Sequence, residues 1–199
     1  MKKTLVTSFT IIIIAMSTLA QKTGTFTDLR DGKVYKTIVI GSQTWMAENL
    51  AFKTINGCWA YDNIQSNVAI YGYLYDWATA KKACPAGWHL PTDTEWTTLT
   101  TYLGGDSIAG RKLKSTLNWI NPTTTTNSSG FTAIPGGYKN VNESYNMIGY
   151  WGYWWSATEN YSDNSTDYAW FRFMYYNISE ISSYYLHKDS GLSVRCIKD

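Results

Sequence analysis

Proline is scarce in this 199-residue chain, with four in all, and only 16% of its residues are charged. The first shortage excludes a Pro-rich or collagen-like chain. The second, beside an apolar share of 44%, excludes a typical disordered chain and leaves enough apolar surface for a core. An excess of one charge sign is also missing. The formal net charge is +2, and without Lys2 and Lys3 the 15 remaining Lys and Arg equal the 15 Asp and Glu. With no basic stripe, nucleic acid and anionic membrane surfaces are poor partners. The two histidines, His89 and His187, stand apart from any Cys/His spacing, which argues against zinc. There is no Gly-x-Ser-x-Gly elbow and no phosphate-binding glycine loop. The three cysteines, Cys58, Cys84 and Cys196, allow at most one internal pair and leave one thiol over. Aromatic side chains, in contrast, are abundant: 10 Trp and 16 Tyr.

The first 20 residues have the layout of a secretory signal peptide. Met1-Lys2-Lys3 is a short positive start, residues 5–19 are apolar around Ile11 to Ile14, and Thr18 and Ala20 put small residues before Gln21. A membrane anchor is the alternative. The stretch is shorter than the ~20 apolar residues a span needs, and Thr7, Ser8 and Thr10 dilute it. No Cys follows it to carry a lipid, and no later stretch approaches 18 consecutive apolar residues. The expectation is a signal over 1–20, cleaved after Ala20, and one domain over 21–199. That domain is secreted or at the cell surface, without a membrane span, where disulfides are permitted.

Short β elements open the domain. Asp31-Gly32 is a turn dipeptide, residues 33–40 alternate, and Gly41-Ser42 suits a two-residue hairpin turn into Gln43-Thr44-Trp45-Met46. Residues 47–68 lack a clear period and read mostly as loop. Two helices are expected. The first starts at an Asp76 N-cap and ends before Pro85, with Trp77, Ala80 and Cys84 on one face. The second opens on a capping box, Thr92 with Glu95, carries Trp96, Leu99 and Leu103 as its stripe, and ends at Gly104-Gly105. Residues 123–129 form a polar loop. Residues 168–175 alternate, with Phe171, Phe173 and Tyr175 on one side, and residues 192–197 read as a final strand. Strands at both ends with helices between them indicate an α+β domain with its termini paired or close.

Many ordered stretches resemble the Fibrobacter succinogenes major paralogous domain, a family of exported bacterial modules. They include Asp31-Gly32-Lys33-Val34-Tyr35, Gln43-Thr44-Trp45-Met46-Ala47-Glu48-Asn49-Leu50 and Tyr71-Gly72-Tyr73-Leu74-Tyr75-Asp76-Trp77. Cys84-Pro85-Ala86-Gly87-Trp88-His89-Leu90-Pro91-Thr92, Leu113-Lys114-Ser115 and Gly130-Phe131-Thr132-Ala133-Ile134-Pro135-Gly136-Gly137 continue the series. Trp155-Ser156-Ala157-Thr158 and Ser193-Val194-Arg195-Cys196 complete it. The resemblance implies a C-type lectin-like fold, with two helices packed on a twisted antiparallel sheet and the termini brought together. It also implies a disulfide between Cys84 and Cys196. Where family members often carry a partner for the cysteine at Cys58, this chain has Ser66-Asn67-Val68-Ala69. That leaves Cys58 free, and Trp59 beside it favours a packed setting.

Function is less legible. Tyr150-Trp151-Gly152-Tyr153-Trp154-Trp155 holds five aromatics in six residues and is followed by the polar run 159–167. Tyr and Trp suit both sugar stacking and protein interfaces. Alternation puts Trp155, expected to be buried, and Tyr153 on one face and Trp154 on the other, with Gly152 a place for the pattern to break. The expected ligand-binding residues are therefore Trp151, Trp154, Glu159, Asn160 and Tyr161. No cofactor is expected. Calcium is the one ion the oxygens of residues 159–167 would suit, yet the run lacks an EF-hand pattern. The leading expectation is a non-enzymatic module that binds glycan or a cell-surface protein. A structural or assembly protein of the cell surface is second. An enzyme of the formylglycine-generating type is a distant third, on a faint C-terminal echo ending in Cys196.

Overall fold

The computed structural model describes residues 22–161 and 165–199. The expected signal segment 1–20, and Ser162, Asp163 and Asn164 of the polar run, lie outside the described residues.

Turn chemistry sets the first three strands. β1 (Thr23–Thr27) and β2 (Val34–Ile40) pair antiparallel. In the turn between them Gly32 takes φ 75° and its N–H donates to the Asp28 carbonyl. The buried Asp28 carboxylate is held by Arg30 at 2.6 Å. β3 (Gln43–Met46) returns on β2 with Ile40 opposite Gln43, so Gly41-Ser42 is the two-residue turn. β4 (Cys58–Trp59), α1 (Val68–Tyr71) and β5 (Leu74–Tyr75) follow, so the stretch read as loop holds one short strand, two 3-10 turns at Tyr61–Asn63 and Gln65–Asn67, and the start of α1.

α2 (Trp77–Ala83) begins where expected, with the Asp76 carboxylate accepting from Thr79 N–H at 2.7 Å. β6 (Trp88–His89) leads into α3 (Asp93–Tyr102), whose capping box is complete. Thr92 Oγ accepts from Glu95 N–H, and Thr92 N–H donates to the Glu95 carboxylate. A further helix follows directly, α4 (Asp106–Leu113), with Gly105 as its N-cap. The expectation of two helices is thereby corrected: the described residues contain four α-helices. α1 is a single turn. α4 carries Gly110 in its interior, an unfavourable helix residue that disguises it. Packing requires that glycine, because a Cβ there would stand 2.3 Å from the Glu180 carbonyl oxygen.

The remaining strands are β7 (Tyr138–Lys139), β8 (Tyr145–Asn146), β9 (Trp151–Asn160), β10 (Tyr168–Tyr175), β11 (Ile181–His187), β12 (Leu192–Ser193) and β13 (Ile197–Lys198). One sheet runs β1-β2-β3-β13-β6, a second runs β11-β10-β9-β12-β5-β4, and β7-β8 is a small third. The single antiparallel sheet expected is thus divided, and β12 lies parallel to β9, with Ser193 beside Trp154. The first and last strands share a sheet but do not pair, since β13 lies between β3 and β6. The fold is mixed α and β, consistent with the α+β class.

Two buried clusters flank these sheets. One gathers Tyr35, Leu50, Tyr75, Trp77, Trp88, Trp155 and Val194 around Cys196. The other gathers Ile38, Trp45, Trp96, Leu99, Leu113, Phe131, Trp154 and Ile197. β2, β9 and the C-terminal segment contribute to both, so each has buried side chains on both faces. Cys84, just after α2, bonds to Cys196 with a Cα separation of 5.9 Å. Cys58 is free and partly buried, its thiol 3.6 Å from the Thr54 carbonyl oxygen. His89 closes the C-terminus, with its ring nitrogens 2.6 Å from Asp199 and 2.9 Å from Glu95. Burial opposes charge on the imidazole, but these two carboxylates hold its pKa above the ordinary value.

Two outcomes follow from these links. Thiol titration of the denatured, unreduced protein will find one thiol, Cys58. The bond closes a separation of 112 residues, so its reduction will lower stability by up to about 4.7 kcal/mol, read by urea unfolding. The raised His89 pKa gives a second outcome. Its stabilisation is complete below the unfolded value of about 6.5 and is lost as pH rises through the higher folded value. His89→Gln will remove that slope from the Tm against pH curve, whereas an unchanged slope refutes the link.

Candidate functional site: an aromatic ladder and a cleft

β9 alternates from Trp151 to Trp155, and its register against β10 shifts between Trp155 and Glu159. Trp151, Tyr153 and Trp155 share the face of their β10 partners Tyr175, Phe173 and Phe171, and no break occurs at Gly152. That glycine has another role: a Cβ there would meet the Trp154 ring at 2.2 Å, so the indole of Trp154 lies over it. Trp155 is buried, as expected. Trp154, expected to face a ligand, is fully buried as well. Its indole N–H donates to Asn49 Oδ1 at 2.9 Å. The direction given by alternation holds, but the second core cluster covers that face, so Trp154 is interior.

The other face of β9 carries an aromatic ladder. The Trp151 ring lies 4.4 Å from Tyr175 and 5.4 Å from Phe173, and it stacks on Tyr153 at 5.7 Å with the planes 9° apart. Tyr138 meets Tyr153 edge-on at 5.1 Å. Trp151, Tyr153, Phe173 and Tyr175 are each partly exposed, and Tyr150 beside them is exposed. Burial first, then Tyr138, raises the Tyr153 phenol pKa, so its hydroxyl stays neutral. Of the expected residues only Trp151 belongs to this surface. Tyr153, Phe173 and Tyr175 were missed as a group because strand register, not sequence spacing, puts them beside Trp151. The alternation of residues 168–175 was the available signal.

Glu159, Asn160 and Tyr161 lie at the opposite end of β9, about 20 Å or more from Trp151, since the β10 partners of Glu159 and Trp151, Ala169 and Tyr175, are that far apart at the usual strand rise. The expected single site therefore does not assemble. Asn160 is buried, and Tyr161 is exposed. The Tyr161 hydroxyl bonds to Glu159 and, with Lys188 at 3.4 Å, holds the Glu159 carboxyl below its usual range. Asp163 and Asn164, the other candidate calcium ligands, are outside the described residues. Among the described residues no three His, Cys, Asp or Glu side chains are grouped to hold a metal.

A cleft of about 260 Å³ lies elsewhere, between residues 47–51, α1 and the turns at 115–118 and 132–134. The sequence did not single it out, although several of the stretches carrying the family resemblance converge on it. Its floor is Asn49, whose hydrogen-bonding capacity is fully used. Oδ1 accepts from Trp154 and from Arg195 at 2.7 Å, and Nδ2 donates to the Tyr71 carbonyl and Ser193 Oγ. Arg195 is itself fully buried and also donates to the carbonyls of Met46, Phe131 and Thr132. Burial pushes its pKa down to about 9, with Glu48 pulling the other way; it remains charged at neutral pH.

These elements define a disulfide-closed mixed α/β domain that presents a partly exposed aromatic face and a small polar cleft. The Fibrobacter succinogenes major domain matches residues 38–198, and the chain belongs to that family. No curated protein and no solved structure matches it.

The burial pattern separates three substitutions. Trp154→Ala will cost about 3–5 kcal/mol, as large-to-small core changes do. Asn49→Ala will cost about 2–6 kcal/mol, because it orphans two buried donors at about 1–3 kcal/mol each. Trp151→Ala, on the partly exposed ladder, will cost less than either. Urea denaturation of the three variants checks the order, and equal losses at Trp151 and Trp154 would contradict it.

Proposed function

We propose that this chain is an exported, non-enzymatic binding module of C-type lectin-like architecture, secreted or held at the cell surface. It recognises glycan through Trp151, Tyr153, Phe173 and Tyr175. The observation that carries this reading is the ladder itself. Several adjoining rings are left partly in water on a rigid two-strand support, and flat apolar faces with polar handles suit the stacking of sugar rings. The export reading is supported by the layout of residues 1–20 and by a disulfide, which persists in oxidising compartments. The lectin-like reading is supported by the bond from α2 to the C-terminal segment and by terminal strands within one sheet. For the non-enzymatic reading, Cys196 is engaged by Cys84, so it is not a free thiol of the kind the formylglycine-generating chemistry requires.

A second reading, a surface-assembly subunit that binds protein, is favoured by one feature. Tyr184 is 56% exposed on β11, the outermost strand of its sheet, and free strand edges pair readily with other chains.

A glycan array probed with residues 21–199 tests the first reading. Binding to a defined set of glycans is expected, with Trp151→Ala and Tyr175→Ala each weakening it about tenfold, or about 1.4 kcal/mol. A protein that binds no glycan but self-associates, with Tyr184→Ser abolishing the association, establishes the assembly reading instead.

A further inference from the structure

We infer that the cleft beside α1 is a second binding site, separate from the aromatic ladder, and that it takes a small aliphatic zwitterion of amino-acid type. Its walls exclude the ladder's chemistry. Val68, Ala69, Ile70, Leu117 and Ile134 line it, and no aromatic ring does. Ile70 and Leu117 are 49% and 69% exposed, so two branched aliphatic side chains stand in water at the cleft. At about 260 Å³ the space suits a leucine-sized molecule rather than an oligosaccharide.

The polar groups have both signs of charge. Lys33 and Glu48 line the same cleft, and no salt bridge joins them. One Glu48 oxygen accepts from Lys36 N–H at 2.9 Å, which fixes the carboxylate against the wall. Behind the wall lies Arg195, which contacts no carboxylate. Its NH2 group bonds to Asn49 Oδ1 at 2.7 Å and to the Thr132 carbonyl at 3.2 Å, and both residues line the cleft. No carboxylate contacts this buried charge, and Glu48 is the acidic group within its electrostatic reach, so the fields of both groups extend into the cleft. Ser115, 4% exposed, lines the cleft too. Its Oγ accepts from Leu117 N–H at 3.0 Å, and its hydroxyl hydrogen is not committed to any described acceptor.

The backbone of the wall is also built under constraint. Thr132 has φ 57°, a conformation that a β-branched residue adopts only under strain. Asn127 holds it from both sides, accepting from Thr132 N–H at 2.9 Å and donating to Thr132 Oγ at 3.1 Å. Strain of this kind is concentrated at ligand sites. In the resulting assignment the carboxylate of the ligand meets Ser115 and Lys33 within the field of Arg195. Its ammonium meets Glu48, and its side chain lies against Ile70 and Leu117.

Amide-resolved NMR titration of residues 21–199 tests this with three probes: leucine, leucinamide, which lacks the carboxylate, and N-acetylleucine, which lacks the ammonium. Leucine is expected to give saturable shifts at Ser115, Asn118 and Thr132 and none at Trp151 or Tyr175. The two capped probes are expected to bind at least tenfold more weakly. Lys33→Gln and Glu48→Gln, each checked for an unchanged dispersed spectrum, are expected to weaken leucine tenfold or more. Equal binding of either capped probe, shifts outside the cleft, or no saturation at 50-fold excess over protein with millimolar protein overturns the assignment. None of these results bears on glycan binding at the ladder, so the two readings fail independently.

Discussion

A charged guanidinium buried without a carboxylate partner is the constraint on which much of this structure depends. Removing Arg195 from water is costly unless its donors are satisfied, and the chain supplies acceptors for its two terminal nitrogens, though not for Nε, from four places. Met46 ends β3, Asn49 follows it, and Phe131 and Thr132 lie in a distant turn. Each of these segments must be in position before the charge is accommodated. The residues on either side of Arg195 are equally engaged, since Leu50 N–H donates to the Val194 carbonyl and Met46 N–H to the Cys196 carbonyl. The end of the chain is thereby stitched into the middle of the fold, and the Cys84–Cys196 bond closes the same region covalently.

Asn49 transmits that constraint to β9. Its amide oxygen receives both Arg195 and the Trp154 indole, and Trp154 lies over Gly152. Held on that side, β9 turns Trp151 and Tyr153 to the opposite face, where β10 adds Phe173 and Tyr175. The cleft and the aromatic ladder are therefore on either side of one polar core. The cleft takes its floor from Asn49, and the ladder takes its backing from the strand that Asn49 anchors.

Local features were readable from residue types because their physics is local. The Asp76 cap, the Thr92 and Glu95 capping box and the Asp31-Gly32 and Gly41-Ser42 turns depend on a few neighbouring backbone groups, and the structure has each in place. The Cys84–Cys196 pairing was accessible only through family resemblance, since three cysteines alone permit three pairings. α4 was hidden because Gly110 serves a close approach to Glu180 rather than the helix that contains it.

Side-chain alternation from Trp151 to Trp155 was likewise determined by sequence, because successive strand residues must point to opposite faces. Which of those faces meets solvent was decided only by tertiary structure. A strand with one covered face and a strand with two have the same alternation, and Trp154 is buried because a second cluster from α3, α4 and β3 closes over it. The register that adds Tyr175 to Trp151 and the convergence of Glu48, Ser115 and Thr132 on one cleft have the same origin. Each depends on segments far apart in sequence packing together, and no local preference of those residues specifies it.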